Sequence, residues 1–362
     1  MSQGNSLGIR KRLALNLFNR FTSNLTNDHK LNYIMWECTL RCNLHCLHCG
    51  SDCHTSAIQK DMPVADFLKA IDDIIPIVDP NHTTIVITGG EPLLRKDLEH
   101  VGTELYHRGF PWGIVTNGML LNETRLTSLL NAGLRSVTVS LDGLASSHEW
   151  LRGNQESYPR TINAINLLGK SSNIVFDVVT CVNGRNIKEL EAIKALLIEQ
   201  KVSRWRLFTI FPRGRAKENT ELSITDPQFK QLLDFIANTR KEGLINASYG
   251  CEGFLGSYEG EVRDSFYFCR SGIGIASILG DGSITGCTSL RSDFIQGNIY
   301  RDNFAEVWEN RFKVMRDRSW AKTGMCADCS SFKWCKGNGL HLHSNSNEEP
   351  MICHLHKLIK NK

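Results

Sequence analysis

Six alternations of strand-type and helix-type segments between residues 31 and 241 constrain this chain most. Strand patterns fall at 31–37, 83–88, 112–116, 136–141, 174–180 and 204–210; residues 83–88 read TTIVIT, a β-branched run of the fully buried kind. Apolar residues recur at helical spacing over 64–78, 95–108, 124–132, 160–168, 187–200 and 227–241. Parallel strands need crossover connections, and these helices supply them. The expected fold class is α/β, a parallel sheet covered by helices. Six units are fewer than the eight of a closed barrel. The expectation is therefore a partial (β/α)6 TIM-like barrel, open on one side to a large substrate.

Regular alternation stops near residue 245. Gly, Asp, Ser and Cys become dense, and seven of the thirteen cysteines lie from Cys251 to Cys353. A segment with few apolar residues to bury needs metal to hold it. The chain divides on this reading into an arm over 1–30, a barrel over 31–245 and a small loop-rich unit over 246–362. The arm carries a partial apolar stripe at Ala14, Leu17, Phe18, Phe21 and Leu25, among Arg10, Lys11, Arg12 and Arg20. A helix docked on the barrel is the plain reading; contact with a membrane surface or a leader peptide is the alternative.

Thirteen cysteines in 362 residues are too dilute for a disulfide scaffold and too clustered for core packing alone. The apolar run after Arg10-Lys11-Arg12 is too short for a signal peptide, and no run of about 18 apolar residues exists to span a membrane. A reducing cytoplasm is expected, where grouped cysteines bind metal or do redox chemistry. The net charge of +4 is too mild for a dedicated nucleic-acid binder.

Cys42, Cys46 and Cys49 follow the first strand directly. Strand C-termini are where parallel α/β sheets place their chemistry. A 4Fe–4S cluster has four irons and usually four cysteine ligands. Three thiolates leave one iron open, the logic of an open catalytic metal site. Zinc held with His45, His48 or His54 is the competing reading of the spacing.

The stretch Trp36-Glu-Cys-Thr-Leu-Arg-Cys42-Asn-Leu-His-Cys46-Leu-His-Cys49-Gly50 resembles the signature of radical S-adenosylmethionine (SAM) enzymes. Other landmarks similar to that family follow in order: Thr88-Gly89-Gly90-Glu91-Pro92, Val115-Thr116-Asn117-Gly118, Ser140-Leu141-Asp142-Gly143 with Arg152, and Cys181-Val182-Asn183. The resemblance implies that Gly89, Gly90 and Glu91 meet the SAM amine, with Thr116 and Asn117 at the next strand end. It implies that Ser140 and Arg152 hold the SAM carboxylate, and that His48 and Val182 lie by adenine and ribose. Glycines at 89 and 90 would let backbone carbonyls approach an ammonium, and Arg152 can fork a carboxylate. Asp142 is expected to shape the turn. The implied chemistry is reductive cleavage of cluster-bound SAM to a 5′-deoxyadenosyl radical, which takes a hydrogen atom from the substrate. An external donor of the flavodoxin or ferredoxin type would supply the electron.

Cys326, Cys329, Cys335 and Cys353 offer four thiolates, with Cys269 and Cys287 upstream. A zinc ribbon is the competing reading. The arrangement resembles the SPASM extension of radical SAM enzymes, which implies one or two auxiliary 4Fe–4S clusters. One would rest on Cys326, Cys329, Cys335 and Cys353, the other on Cys251, Cys269 and Cys287. The family pattern has a further cysteine where this chain has Gly339. That leaves three outcomes: an open iron, ligation by His341 or His343, or no first auxiliary cluster at all.

More narrowly, Arg108-Gly-Phe-Pro-Trp-Gly-Ile-Val-Thr116, Trp205-Arg-Leu-Phe-Thr-Ile-Phe-Pro212 and Cys251-Glu-Gly-Phe-Leu-Gly256 resemble a radical SAM/SPASM subfamily paired with a small lipoprotein. The implied substrate is a peptide or protein, a ribosomal peptide or lipoprotein-associated precursor. A separate leader-recognition protein would assist, since about 30 residues before the barrel leave no room for such a domain. A radical SAM enzyme acting on a small cofactor or haem-pathway intermediate is the alternative, and a non-catalytic metal-stabilised binding protein is the third class. Arg213 and Arg215 put two cations near the expected mouth. No catalytic acid or base stands out, although Tyr249, Glu252 and Asp264 lie near the junction.

Overall fold

The computed structural model describes residues 7–359. Helix α1 (Ile9–Asp28) leads into β1 (Tyr33–Glu37), α2 (Val64–Ile74), β2 (Thr84–Thr88), α3 (Leu98–His107), β3 (Trp112–Thr116), α4 (Glu123–Asn131) and β4 (Leu134–Ser140). Then come α5 (Ala145–Arg152), α6 (Ser157–Lys170), β5 (Val175–Val182), α7 (Leu190–Glu199), β6 (Arg204–Thr209) and α8 (Asp226–Glu242). The six expected strands and six expected helices form, and α5 is an addition. β1 to β6 pair in sequence order and all parallel.

The sheet does not stop at residue 245. Strand β7 (Asn246–Tyr249) pairs parallel with β6, and β8 (Ile275–Ile278) pairs parallel with β1 on the other flank. Strands β9 (Ser283–Thr285) and β10 (Gly297–Asn298) extend that flank antiparallel. The strand order is β10-β9-β8-β1-β2-β3-β4-β5-β6-β7, so the partial barrel is open between its two edges. β7 and β8 have four residues each, too few to show alternation in the sequence; their partners form them.

The core lies between sheet and helices. Helix α2 buries Phe67, Leu68, Ala70, Ile71 and Ile74, and the Phe67 ring stacks on Trp36 of β1 at 3.9 Å. Helix α8 starts at a capping box between Thr225 and Gln228 and stops at Gly243, whose φ of 72° suits glycine. The region after β10 contains α9 (Phe304–Arg311), α10 (Lys313–Arg316), α11 (Phe332–Cys335) and α12 (His354–Ile359). It is better packed than its texture suggests: Phe304, Trp308, Phe312 and Met315 are buried and join the main core. Each such side chain stabilises the fold by roughly 1.5–3 kcal/mol. Need for metal therefore narrows to the stretch around residues 319–353.

Helix α1 forms, but it docks by a face other than the expected stripe. Leu15 and Thr22 are buried and Phe18 packs edge-on against Phe266 at 5.4 Å, while Leu17, Phe21 and Leu25 are exposed.

Candidate active site

The cysteine loop hangs from the end of β1. Cys42 and Cys46 are buried with Leu44 and Cys53, and Cys49 packs beside them. The loop closes on itself through Cys42 N–H to His54 O (2.9 Å) and His54 N–H to Leu40 O (3.3 Å). Leu47 N–H donates to Leu151 O at 2.8 Å, tying the loop to α5. On the β2 side, Gly90 N–H donates to Thr39 O (2.7 Å) and Glu91 N–H to Arg41 O (2.9 Å).

That contact explains the two glycines, for a reason other than ligand approach. A Cβ at Gly89 would lie 2.3 Å from Thr39 O, and one at Gly90 would lie 2.2 Å from Arg41 O. Both residues are glycine because the cysteine loop's own backbone occupies the space. Gly89 also has a φ of 139°, which disfavours any side chain.

Arg215 is a loop anchor rather than a cation at the mouth. Its Nε donates to Cys46 O (2.7 Å), and its Nη1 to Cys53 O (3.0 Å) and Asp52 (2.8 Å). Two of the three histidines of the zinc reading have carboxylate neighbours: His54 lies 3.3 Å from Asp52, and His48, half-buried, has its Nε2 3.9 Å from Asp142, while His45 is exposed with its ring 5.4 Å from that of His54. Donors converge on the sulfurs instead. Arg152 Nη1 lies 3.6 Å from Cys46 Sγ and Asn117 Nδ2 4.0 Å from Cys42 Sγ. Burial pushes the Cys42 thiol up to about 12 and raises that of Cys46. Such thiols become thiolates on binding a metal, and two buried sulfurs with a third at the cavity edge, met by sulfur-directed donors, fit an iron–sulfur cluster.

Glu91 is fully buried, and three donors of this chain use it. Its Oε1 accepts from Thr116 Oγ1 (2.7 Å) and Leu93 N–H (3.1 Å), and its Oε2 from Asn117 N–H (2.8 Å). Burial raises its pKa against these donors. The carboxylate clamps the ends of β2 and β3. Asn117 bridges onward to Asn43 in the cysteine loop at 2.8 Å.

Arg152 also differs from expectation, because it has a carboxylate of its own. Its Nη2 lies 2.5 Å from Asp142 Oδ2, and both groups are buried. Asp142 is thus more than a turn former. Burial would push its carboxyl up, yet Arg152, with His48 and His148, holds it below the usual range. Its Oδ1 also accepts from Cys181 N–H at 2.7 Å, which joins the ends of β4 and β5. Burial lowers His48 to about 4, so that ring is neutral, with Nδ1 unpartnered. Ser140, half-buried at the end of β4, has no side-chain partner among the described residues. Val182 is buried at the end of β5. Helix α5 was missed in the sequence because its Ser-Ser-His start is a poor helix signal; Gly153, at a φ of 67°, ends it.

A cavity of about 570 Å³ opens beside the loop. His48, Cys49, Gly89 and Cys181 line it from the barrel, and Thr288, Arg291, Ser344 and Met351 from the C-terminal region. Arg213 and Lys217 line it after β6. Arg213 Nε donates to His341 O at 2.8 Å and another nitrogen to His343 O. Burial and the neighbouring Arg291 charge lower its pKa, and it has no carboxylate partner among the described residues. Arg291 reaches Glu37 at 2.9 Å and is the cavity cation that sequence reading missed, having no motif around it.

In the C-terminal region, Cys326, Cys329, Cys335 and Cys353 act on one another: Cys353 and Cys329 add to the burial that raises Cys326 to about 11. Cys251, Cys269 and Cys287 form a second group, in which Cys251 is exposed and the other two are half-buried, and the charges of Cys269 and Cys287 act to raise the Cys251 thiol. Cys269 ends up lowered, because Arg318 and the N–H groups of Leu340 and Ser271 outweigh its burial. His343 is not free as a ligand: Nδ1 lies 2.9 Å from Glu348 O and Nε2 2.6 Å from Gly337 O. His341 is buried with Nε2 unpartnered, and its ring lies 2.5 Å from where a Cβ at Gly339 would stand. A further network was only partly legible: Glu252 Oε2 accepts from Thr209 and Tyr249 and lies 3.2 Å from His354 Nε2.

This geometry is that of an open parallel barrel with cysteines at one strand end and a second cysteine region sharing its cavity. Residues 36–197 match the radical SAM superfamily, and residues 269–330 match SPASM, an iron–sulfur cluster-binding domain. The chain belongs to the radical SAM enzymes that carry a SPASM domain, and its cofactors are SAM and 4Fe–4S clusters. Its relatives include the AdoMet-dependent heme synthase of Methanosarcina barkeri, 29% identical over 335 residues, covering 86% of this chain and 92% of that protein. The Fe-coproporphyrin III synthase of the same organism is 25% identical over 336 residues, covering 84% and 82%. Among solved structures, Streptococcus suis SuiB bound to S-adenosylmethionine superposes with a TM-score of 0.68 at 16% identity, covering 96% of this chain and 83% of that one. That likeness shows the fold.

These relatives overturn the expected peptide or protein substrate, since they match over most of their length and are named for haem-pathway products. Membership of the enzyme family also removes the non-catalytic reading. No helix among the described residues is long and apolar enough to cross a membrane.

Proposed function

We propose that this chain is a haem-pathway radical SAM enzyme, taking a hydrogen atom from a side chain of a tetrapyrrole that bears carboxylates. The full-length likeness to AdoMet-dependent heme synthase carries this reading. The cavity supports it. Haem and its precursors carry propionate carboxylates, and Arg213, Lys217 and Arg291 line the space beside the cysteine loop. Arg213 uses two nitrogens on backbone carbonyls, leaving Nη1 for an incoming carboxylate.

Cys42, Cys46 and Cys49 would hold the cluster whose bound SAM supplies the 5′-deoxyadenosyl radical when reduced. The Ser140 hydroxyl is the free donor for the SAM carboxylate. Arg152, neutralised by Asp142, would orient the strand ends and the Cys46 sulfur. His48 and Val182 would form an apolar, uncharged wall for adenine, and the buried surroundings would exclude water. Cys326, Cys329, Cys335 and Cys353 would hold one auxiliary cluster, and Cys251, Cys269 and Cys287 another. A flavodoxin- or ferredoxin-class protein would deliver electrons.

The test is anaerobic reconstitution with iron, sulfide, SAM and dithionite, followed by incubation with iron-coproporphyrin III and related carboxylated tetrapyrroles. The expected result is 5′-deoxyadenosine together with a porphyrin mass change. An Arg213→Ala variant should raise KM by about tenfold or more, the scale of one lost charge-assisted contact. Formation of 5′-deoxyadenosine with no altered tetrapyrrole in the panel would sink the proposal.

A further inference from the structure

Helix α1 has two apolar faces and uses one. Its inner face is docked: Leu15 is buried, Asn16 accepts from Trp334 Nε1 at 3.0 Å, and Lys11 pairs with Glu261 at 3.0 Å. On the outward side Ile9, Leu13, Leu17, Phe21 and Leu25 form an inclined row that turns about 40° per step, so Ile9 to Phe21 share one face and Leu25 borders the docked side. They are 78, 59, 66, 56 and 37% exposed. A row of five large apolar side chains over a 20-residue helix, about 30 Å long, is more than scattered surface hydrophobicity.

The charges around the row are of one sign. Arg10 stands three residues before Leu13 and Arg20 three after Leu17, so both flank the row. Arg10, Arg12 and Arg20 are exposed and have no ion-pair partner among the described residues. The only acidic residue of the helix is Asp28, at its last position. A second copy packed parallel would bring arginines against arginines, and one packed antiparallel would offer one carboxylate, Asp28, against Arg10, Arg12 and Arg20. An anionic lipid surface offers both complements together: acyl chains for the row, and phosphates for guanidinium groups whose stems lie along it.

We propose that this face of α1 docks the enzyme flat on an anionic phospholipid bilayer, with the barrel held on the cytosolic-solvent side by the docked face. The helix lies in the interface and does not cross it, because its inner face is already packed on the protein and it carries four basic residues. This inference is independent of the substrate reading.

The test is co-sedimentation of the holoenzyme with phosphatidylcholine vesicles, with and without phosphatidylglycerol. The expected result is pelleting with the anionic vesicles, weakened by salt, and lost by about tenfold or more in Leu17→Glu/Phe21→Glu. Arg10→Gln/Arg20→Gln should weaken it less. SAM cleavage and the far-ultraviolet circular dichroism of these variants should stay unchanged, because the altered side chains face solvent. Equal pelleting of wild type and Leu17→Glu/Phe21→Glu would overturn the proposal, as would no pelleting. A dimer in light scattering that the Leu17→Glu/Phe21→Glu change dissolves would assign the face to a second copy and overturn it too.

Discussion

The two cysteine-bearing regions are anchored by different means. The barrel loop is held by the sheet: its backbone rests on Gly89 and Gly90, Arg215 grips Cys46 O and Cys53 O, and Asn117 reaches Asn43. Those anchors come from β2, β3 and the segment after β6, which are packed without any metal. The stretch around 319–353 has only short helical turns, tied to the rest by single long-range bonds such as Trp334 Nε1 to Asn16 (3.0 Å), Gly339 N–H to Glu252 O (2.9 Å) and Arg213 Nε to His341 O (2.8 Å). Cys335 and Cys353 pack with Leu15, Phe254, Tyr267 and Leu355, and a cluster bound by the four thiols would cross-link this small group. The barrel loop thus has many anchors drawn from regular elements, and the C-terminal stretch has few.

The comparison breaks most visibly at the catalytic cysteines. Cys42→Ala should abolish 5′-deoxyadenosine formation, a loss beyond roughly a thousandfold, yet leave the barrel folded, as read by circular dichroism. Iron removal tests the contrast itself. Hydrogen exchange should show residues 319–353 losing protection in the iron-free protein while amides of β1–β6 keep theirs. Equal loss in both regions would refute the contrast.

Asp142→Asn probes the barrel's own anchoring. It leaves Arg152 buried without a partner and should cost about 3–5 kcal/mol in thermal or denaturant unfolding. Gly90→Ala should cost less, about 1–3 kcal/mol, by pushing the Arg41 carbonyl away, and weaken SAM binding by calorimetry.

The smallest effect is expected at Asp61, which accepts from Thr39 (2.6 Å) and Arg41 (3.3 Å) beside the loop. Burial would raise its carboxyl, but these donors and the Arg41 charge win and lower it below 3.8. A depressed carboxylate stabilises the fold above its unfolded pKa, and that contribution is lost as pH falls through the folded value. Asp61→Asn should therefore lower stability by less than about 1 kcal/mol near neutrality and flatten the acid limb of the Tm–pH curve below pH 4.

Much of the fold was legible because strand and helix periodicity is local: the six units from 31 to 241 and their parallel order needed no tertiary information. The four-residue strands β7 and β8 were not legible, since their pairing partners lie across the sheet. At the site, the Cys42, Cys46 and Cys49 spacing was readable, whereas the roles of Glu91 and Arg152 were read as ligand contacts. Nothing next to Glu91 in sequence reveals that Thr116 and Asn117 would claim its oxygens, and Arg152 meets Asp142 only because α5 brings its last residue back to the end of β4. Arg291, a cation of the shared cavity, has no motif to announce it.

Sequence by itself determined the α/β class, the grouping of cysteines and the family, because these depend on residue type and spacing along the chain. The tertiary structure decided which charged groups are spent on the scaffold, which remain open to a ligand, and which face of α1 is covered. Hydrogen bonds and burial are allocated among residues far apart in sequence, so that allocation exists only once the chain has folded.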